Sequence, residues 1–259
     1  MSAVRTLLVS TVLASPGIAA AQVTETGFLN RTVILDGTEY VYQVYVPRGY
    51  RQSTAWPVIL ALHGAGERGD DGLLQTQVGL ASAIRRHADR YPAIVVFPQT
   101  PSEGTWQGPG ARVALAALDQ SIAEFNADAS RVYLTGLSMG GNGTWYLGYH
   151  HADRFAALVV VCGWISELPG GRYPALAPDS SPDPFAAVAE RVSGIPIWIF
   201  HGDADEVVPV EESRRMAEAL GAMGADVRFT ELPGVGHNAW DPAYDLKTLP
   251  VWLFKQQRR

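Results

Sequence analysis

Gly136-Leu137-Ser138-Met139-Gly140 is the stretch on which the fold turns. It follows Arg131-Val132-Tyr133-Leu134-Thr135, a β-branched and aromatic run, and precedes a segment to Tyr149 long enough for a helix. Strand, sharp turn and helix form the setting in which G-x-S-x-G becomes a nucleophile elbow. The glycines permit a strained turn and a close approach of helix to strand. The Ser138 hydroxyl would then stand out at the carboxyl edge of a sheet. Alone, a serine among glycines is more often an ordinary turn, since both are common turn formers. The reading therefore depends on the rest of the chain.

Outward from the elbow, strand-like and helix-like segments alternate. Short apolar runs at 58–62, 93–97, 132–135, 157–161, 197–200 and 227–232 read as strands, and 74–90, 112–126, 142–150, 210–223 and 249–256 as helices. Interior strands without polar alternation suit a parallel sheet covered on both faces. Nearer the N-terminus, Asp36-Gly37 separates 31–35 from 39–46, a strong signal for a hairpin. An antiparallel hairpin feeding a mostly parallel sheet is the expected α/β architecture. The proline- and glycine-rich stretch 163–194, with one short helix at 183–192, is a long loop. It is too short for a large lid domain.

The chain has 259 residues, 47% hydrophobic and 18% charged, with a formal net charge of −6. That composition suits one large core. Arg5 is the only charge before Gln22; an apolar run follows it, and Ala19-Ala20-Ala21 offers a cleavage site. Residues 1–21 are expected to be a signal peptide cleaved near Ala21 and Gln22, leaving 22–259 as one catalytic domain, secreted or periplasmic. A membrane anchor would need about 18 consecutive apolar residues, and Ser10, Thr11, Ser15 and Pro16 interrupt this one. No basic cluster suggests a nucleic-acid partner. The single Cys162 lies in an apolar run and reads as a small buried residue.

Two further motifs follow the elbow in the order serine, acid, histidine. The strand at 197–200 ends in His201-Gly202-Asp203-Ala204-Asp205-Glu206-Val207-Val208-Pro209, and the last strand leads to Gly234-Val235-Gly236-His237. An acid on one such loop can orient a histidine on the next and stabilise its charged form. Asp203 and Asp205 could otherwise cap the following helix, and His237 could be an ordinary loop histidine. The joint fit of order and context favours Ser138, an aspartate and His237 as a catalytic set. The Met139 amide, at a helix start, is a natural oxyanion donor. Trp106 and Trp240, on loops at the strands' carboxyl ends, are candidate pocket walls; Trp164 is a weaker one. His63 and His201 each precede a glycine at a strand end and read as structural, because a metal site would need a third ligand nearby.

The runs His63-Gly64-Ala65-Gly66-Glu67-Arg68-Gly69, the elbow, His-Gly-Asp-x-Asp-x-x-Val-Pro and Gly236-His237-Asn238-Ala239-Trp240 together resemble serine esterases of the α/β-hydrolase superfamily. The chain is similar to the carboxylesterase, acyl-protein thioesterase and dienelactone hydrolase branch. Within it, the nearest likeness is to secreted feruloyl-esterase-like, polyhydroxybutyrate-depolymerase-like and "predicted peptidase" proteins. The resemblance implies that Asp205 is the triad acid, that Asp203 braces the loop, and that Ala65 supplies the second oxyanion amide. It implies no metal or organic cofactor, and a small-molecule or polymeric ester as partner. A serine peptidase of the prolyl-oligopeptidase type is the alternative enzyme. A non-catalytic binding module is the alternative outside enzymes, although no triad member is missing.

Overall fold

Asp36 and Gly37 turn with φ of 50° and 78°, the left-handed pair that matches the twist of a tight hairpin. They join β1 (Gly27–Leu35) to β2 (Thr38–Val46), with Leu35 opposite Thr38. The computed structural model describes residues 25–168, 176 and 181–258. The expected signal peptide, and Pro169, Pro174 and Pro178 of the long loop, lie outside the described residues.

Six more strands complete one eight-stranded sheet: β3 (Trp56–Leu62), β4 (Ile94–Pro98), β5 (Ala127–Leu137), β6 (Ala157–Val161), β7 (Ile197–Gly202) and β8 (Val227–Leu232). Their order is β1-β2-β4-β3-β5-β6-β7-β8. β1, β2 and β4 pair antiparallel, and every pairing from β4 through β8 is parallel. The central strands read as apolar runs because both faces are covered. On one face lie α2 (Pro109–Glu124), α3 (Met139–His150), α4 (Pro184–Val192) and α5 (Glu211–Ala222). The other carries α1 (Leu80–Arg86), α6 (Trp240–Asp245) and α7 (Thr248–Leu253). This is the mostly parallel α/β sheet expected from the strand and helix pattern, arranged as in the α/β-hydrolase fold that the resemblance implies.

Two elements differ from expectation. The helix expected over 74–90 is a short α1 flanked by 3-10 turns at Leu74–Thr76 and Ala88–Arg90. Gly79 breaks it: its φ is 64°, and a Cβ there would lie 2.5 Å from Leu137 Cδ2. The chain thus tucks against the strand that ends at the elbow. α6 was not anticipated, because Pro242 falls within its six residues; a proline is tolerated in a first turn, where its missing N–H has no partner to lose.

The packing of α3 yields a paired prediction. A Cβ on Gly141 would sit 2.7 Å from both Gly163 Cα and Val161 O, which are backbone atoms, whereas nothing lies within 4 Å at Gly221 of α5. Gly141→Ala should destabilise by about 1–3 kcal/mol through overpacking. Gly221→Ala should stabilise by up to about 1 kcal/mol, because glycine loses more backbone entropy in a helix. Urea unfolding midpoints of the two variants should move in opposite directions.

Candidate active site

β5 reaches the sheet's carboxyl edge at Leu137, and Ser138 turns the chain with φ 52° and ψ −116° before α3 begins. The turn fits only because the surrounding residues lack side chains. A Cβ on Gly136 would meet Gly140 O at 2.1 Å, and one on Gly140 would meet Leu62 O at 2.1 Å. The Ser138 N–H donates to Val161 O at 2.9 Å, tying the turn to β6.

The structure brings Ser138, His237 and Asp205 together. His237 Nε2 lies 2.9 Å from Ser138 Oγ, and its Nδ1 lies 2.8 Å from Asp205 Oδ2. The Asp205 carboxylate is closed to solvent, while the His237 ring is 21% exposed. Asp205 Oδ1 accepts from the Val207 and Val208 amides at 2.8 and 2.9 Å, and His201 Nε2 stands 3.2 Å from Oδ2. Burial pushes this carboxyl up, but the hydrogen bonds from His201, His237 and the two amides outweigh it. The net result holds Asp205 well below the usual carboxylate range, ionised and facing the imidazole. Asp203 Oδ1 instead accepts from Gly234 N at 2.6 Å and so braces the loop before His237, and Glu206 is exposed.

Met139 is the first residue of α3, so its N–H has no carbonyl a turn behind it. Ala65 opens a 3-10 turn, Ala65–Glu67, capped by Gly64. Gly64 crosses directly over the elbow: a Cβ there would lie 2.9 Å from Leu137 Cδ1 and 3.6 Å from Ser138 Cβ. Both candidate amides therefore belong to backbone that borders the serine.

The tryptophans divide. Trp240 is partly exposed and meets the His237 ring edge-on, with centroids 5.4 Å apart. Trp106 does not wall a pocket: it is fully buried, its indole N–H donates to His63 O at 2.8 Å, and its ring packs against His63. The expectation for Trp106 is thus corrected. Gly143 of α3 packs directly on this tryptophan: a Cβ there would come 2.2 Å from Trp106 Cβ. Trp164 is buried as well.

A profile of the dienelactone hydrolase family matches residues 106–243, more than half of the chain. The chain belongs to that family. Among similar proteins, acetylxylan esterase A of Emericella nidulans is 27% identical over 65% of this chain and 62% of its own length. Feruloyl esterase B of Neurospora crassa is 30% identical over 59% of this chain and 52% of its own. An uncharacterized secreted protein of Arthroderma benhamiae is 28% identical over 72% of this chain but only 22% of its own length. This chain thus spans less than two thirds of each of these relatives. Among solved structures, a thermostable esterase superposes with a TM-score of 0.75 at 32% identity, over 89% of this chain and 63% of that one.

Several further residues hold the site of this family member, Arg68 from the His63–Gly69 run and Asn142 and Glu212 from outside any expected role. Arg68 Nε donates to Gly104 O at 2.7 Å while Nη2 lies 2.9 Å from Met139 Sδ, bracing two loops. Asn142, buried in α3, donates to Trp164 O at 3.0 Å and accepts from Gln107 Nε2 at 3.1 Å. Glu212 of α5 accepts from the Ile165 and Ser166 amides at 2.8 and 3.1 Å. Nothing in the sequence around Asn142 or Glu212 announces these roles. Cys162, with φ 42°, is buried beside the site, its Sγ 3.6 Å from His237 O. Ligand atoms of Cys162, Asp205 and His237 lie within 4.8 Å of one another. That set does not fit a metal, because burial pushes the thiol up and keeps it protonated, while His237 Nδ1 is engaged by Asp205.

His63 and His201 are both buried and bonded within loops, as their positions suggested. His201 Nε2 lies 3.0 Å from Val208 O and Nδ1 2.7 Å from Ser213 Oγ. His63 Nε2 accepts from Thr100 N at 3.1 Å, so Nδ1 carries the proton and donates to Gly64 O at 2.6 Å. Burial lowers the His63 pKa to about 4 from 6.5. Between those values the unfolded chain binds the proton and the folded chain does not, so stability falls as pH drops from about 6.5 to about 4. The shift corresponds to a loss of up to about 3 kcal/mol. Asp205 adds a further loss below its unfolded value of about 4, as the depressed carboxyl is protonated on unfolding. Urea unfolding at pH 7 and pH 4.5 should show the first loss, with ring resonances of His63 titrating only near the lower pH.

Proposed function

We propose that this protein is a serine esterase that cleaves carboxylic esters through an acyl-enzyme. The observation that carries the reading is the continuous line from Asp205 Oδ2 through His237 to Ser138 Oγ, with contacts of 2.8 and 2.9 Å. His237 Nε2 takes the proton of Ser138 as Oγ attacks the ester carbon, and Asp205 stabilises the imidazolium that forms. Negative charge moves to the carbonyl oxygen, which the Met139 and Ala65 amides receive. His237 returns the proton to the departing alkoxide. Water, deprotonated by the same ring, then attacks the acyl-serine, and Ser138 regains its proton as the acid leaves.

The relatives named as acetylxylan and feruloyl esterases support ester over amide cleavage, and they support a polymeric or aryl ester as substrate. Trp240 against His237 is an aromatic surface suited to such a group. The amino-terminal pattern supports a signal peptide at 1–21 preceding a single catalytic domain at 22–259, exported from the cytoplasm. The secreted relative agrees with this, and among the described residues no helix is long and apolar enough to cross a membrane.

A fluorophosphonate probe should label the wild-type protein and leave Ser138→Ala unlabelled; labelling that survives the substitution would refute the assignment. On an ester panel running from acetyl to feruloyl esters, Asp205→Asn should lower kcat by roughly 10⁴-fold, as loss of the orienting acid does in Ser-His-Asp sites. Its fold should be intact by circular dichroism.

A further inference from the structure

Beside the elbow stands a carboxyl group to which the proposed reaction gives no task. Glu67 ends the 3-10 turn Ala65–Glu67, whose N-cap is Gly64. Its Oε2 is buried and has no hydrogen-bond partner among the described residues. The place that a Cβ would take on Gly64 locates this oxygen. That point is 3.0 Å from Glu67 Oε2, 2.9 Å from Leu137 Cδ1 and 3.6 Å from Ser138 Cβ. The carboxyl is therefore folded back on the inner side of its own turn, against Gly64 and close to the nucleophile. Arg68, next in the chain, is directed elsewhere, to Gly104 O and Met139 Sδ. A buried acceptor without a donor is costly and uncommon, so its retention has a cause.

The turn needs a tie, because Gly64 and Gly66 give it little stiffness. Gly66 is exposed, with nothing within 4 Å of the place of a Cβ, and glycine loses more freedom on being fixed than any other residue. The amide this turn has to present is that of Ala65. Gly64 O and the Ala65 N–H belong to one planar trans peptide and point in opposite directions, so whatever holds Gly64 O aims the amide. His63 Nδ1 donates to Gly64 O at 2.6 Å, and the Glu67 N–H donates to the same oxygen at 3.4 Å. Glu67 O in turn accepts from Gln99 Nε2 at 3.1 Å. On the preceding peptide, His63 O accepts from the Trp106 indole at 2.8 Å. The Gly64 N–H of that peptide is left to the carboxyl. Burial pushes the Glu67 carboxyl above its usual range, while the Gly64 and Glu67 amides pull it the other way. A glutamate or glutamine at the third position of a turn, reaching back to the N-cap amide, is one half of a capping box.

We propose that Glu67 is a positioning residue, whose side chain, folded back under Gly64, locks the peptide between Gly64 and Ala65 so that the Ala65 amide faces the oxyanion forming at Ser138. It acts by reach and not by charge, since a negative charge this near a developing oxyanion opposes it. The role rests on the esterase reading. Because the amide is used only once charge has moved to the carbonyl oxygen, losing the lock lowers kcat and leaves KM alone.

Two substitutions separate reach from charge. Glu67→Asp keeps the charge but is one methylene too short to reach Gly64, whereas Glu67→Gln keeps the reach without the charge. With 4-nitrophenyl acetate, Glu67→Asp should lower kcat by about tenfold to a hundredfold, somewhat less than the loss of a whole oxyanion donor, with KM within about twofold. Glu67→Gln should recover kcat to within about threefold of wild type, as the capping box admits either residue. Inhibition by trifluoroacetophenone, to which Ser138 adds to give a hemiketal oxyanion, should weaken in Glu67→Asp by the same factor as kcat. Circular dichroism establishes that each variant is folded; should Glu67→Asp not be, Glu67→Ala takes its place with the same expectation. Glu67→Asp as active as wild type, Glu67→Gln as impaired as Glu67→Asp, or a loss confined to KM overturns the role of Glu67 while ester cleavage stands. A wild-type protein that cleaves no ester removes the esterase reading, and this role with it.

Discussion

At position 138 an L residue is held at φ 52° and ψ −116°, in a sparsely populated region that costs on the order of 1–3 kcal/mol. The surroundings over-determine that conformation. Gly140 passes beneath Leu62 O, Gly141 abuts Gly163, and the Ser138 amide is bonded to Val161 O. Three strands, β3, β5 and β6, thus end within contact of one turn. Because their following loops must leave from that point, the loops carrying Gly64, Met139 and Trp164 are brought to the same place. Cys162 shows the same constraint one strand away, with φ 42° and its N–H donating to Phe200 O. Adjacent strands both end in left-handed residues, which carries the chain sharply off the sheet and leaves its edge open.

The second constraint is electrostatic. A carboxylate shielded from solvent is ordinarily raised in pKa, and Asp205 is not, because four donors converge on it. Two of them are backbone amides supplied by the turn Asp205-Glu206-Val207-Val208. A third is His201, itself fixed by Ser213 of α5 and by Val208 O. Asp203, two residues earlier, is spent on Gly234 N. The division of labour between the two aspartates is therefore geometric: one faces the loop, the other faces the ring.

Much of this was readable from residue order. Val58 to Leu62, Ala157 to Val161 and the Asp36-Gly37 turn have local chemistry that admits few alternatives, and the elbow, the acid loop and the histidine loop each follow a strand. What escaped was set by tertiary contact. The break at Gly79 depends on Leu137, which is distant in the chain. Trp106 was read as a pocket wall because loop tryptophans at that edge often are, but its fate depends on the space left by Gly143 and on His63 O. Glu212 reads as a solvated helix residue until the loop after β6 is laid over it. Such residues become legible only when the partners supplied by other segments are known.

Those same contacts form one line across the carboxyl face. Trp106 holds the end of β3, Gln107 beside it holds Asn142 of α3, Asn142 holds the loop at Trp164, and Glu212 of α5 holds that loop one residue further on. Every member is buried or half-buried, so each bond is made at low local dielectric and is costly to break. A face tied in this way does not adapt to its ligand by moving backbone. The residues that position the elbow are used up in doing so, whereas Trp240 lies outside the line, partly exposed and edge-on to the His237 ring.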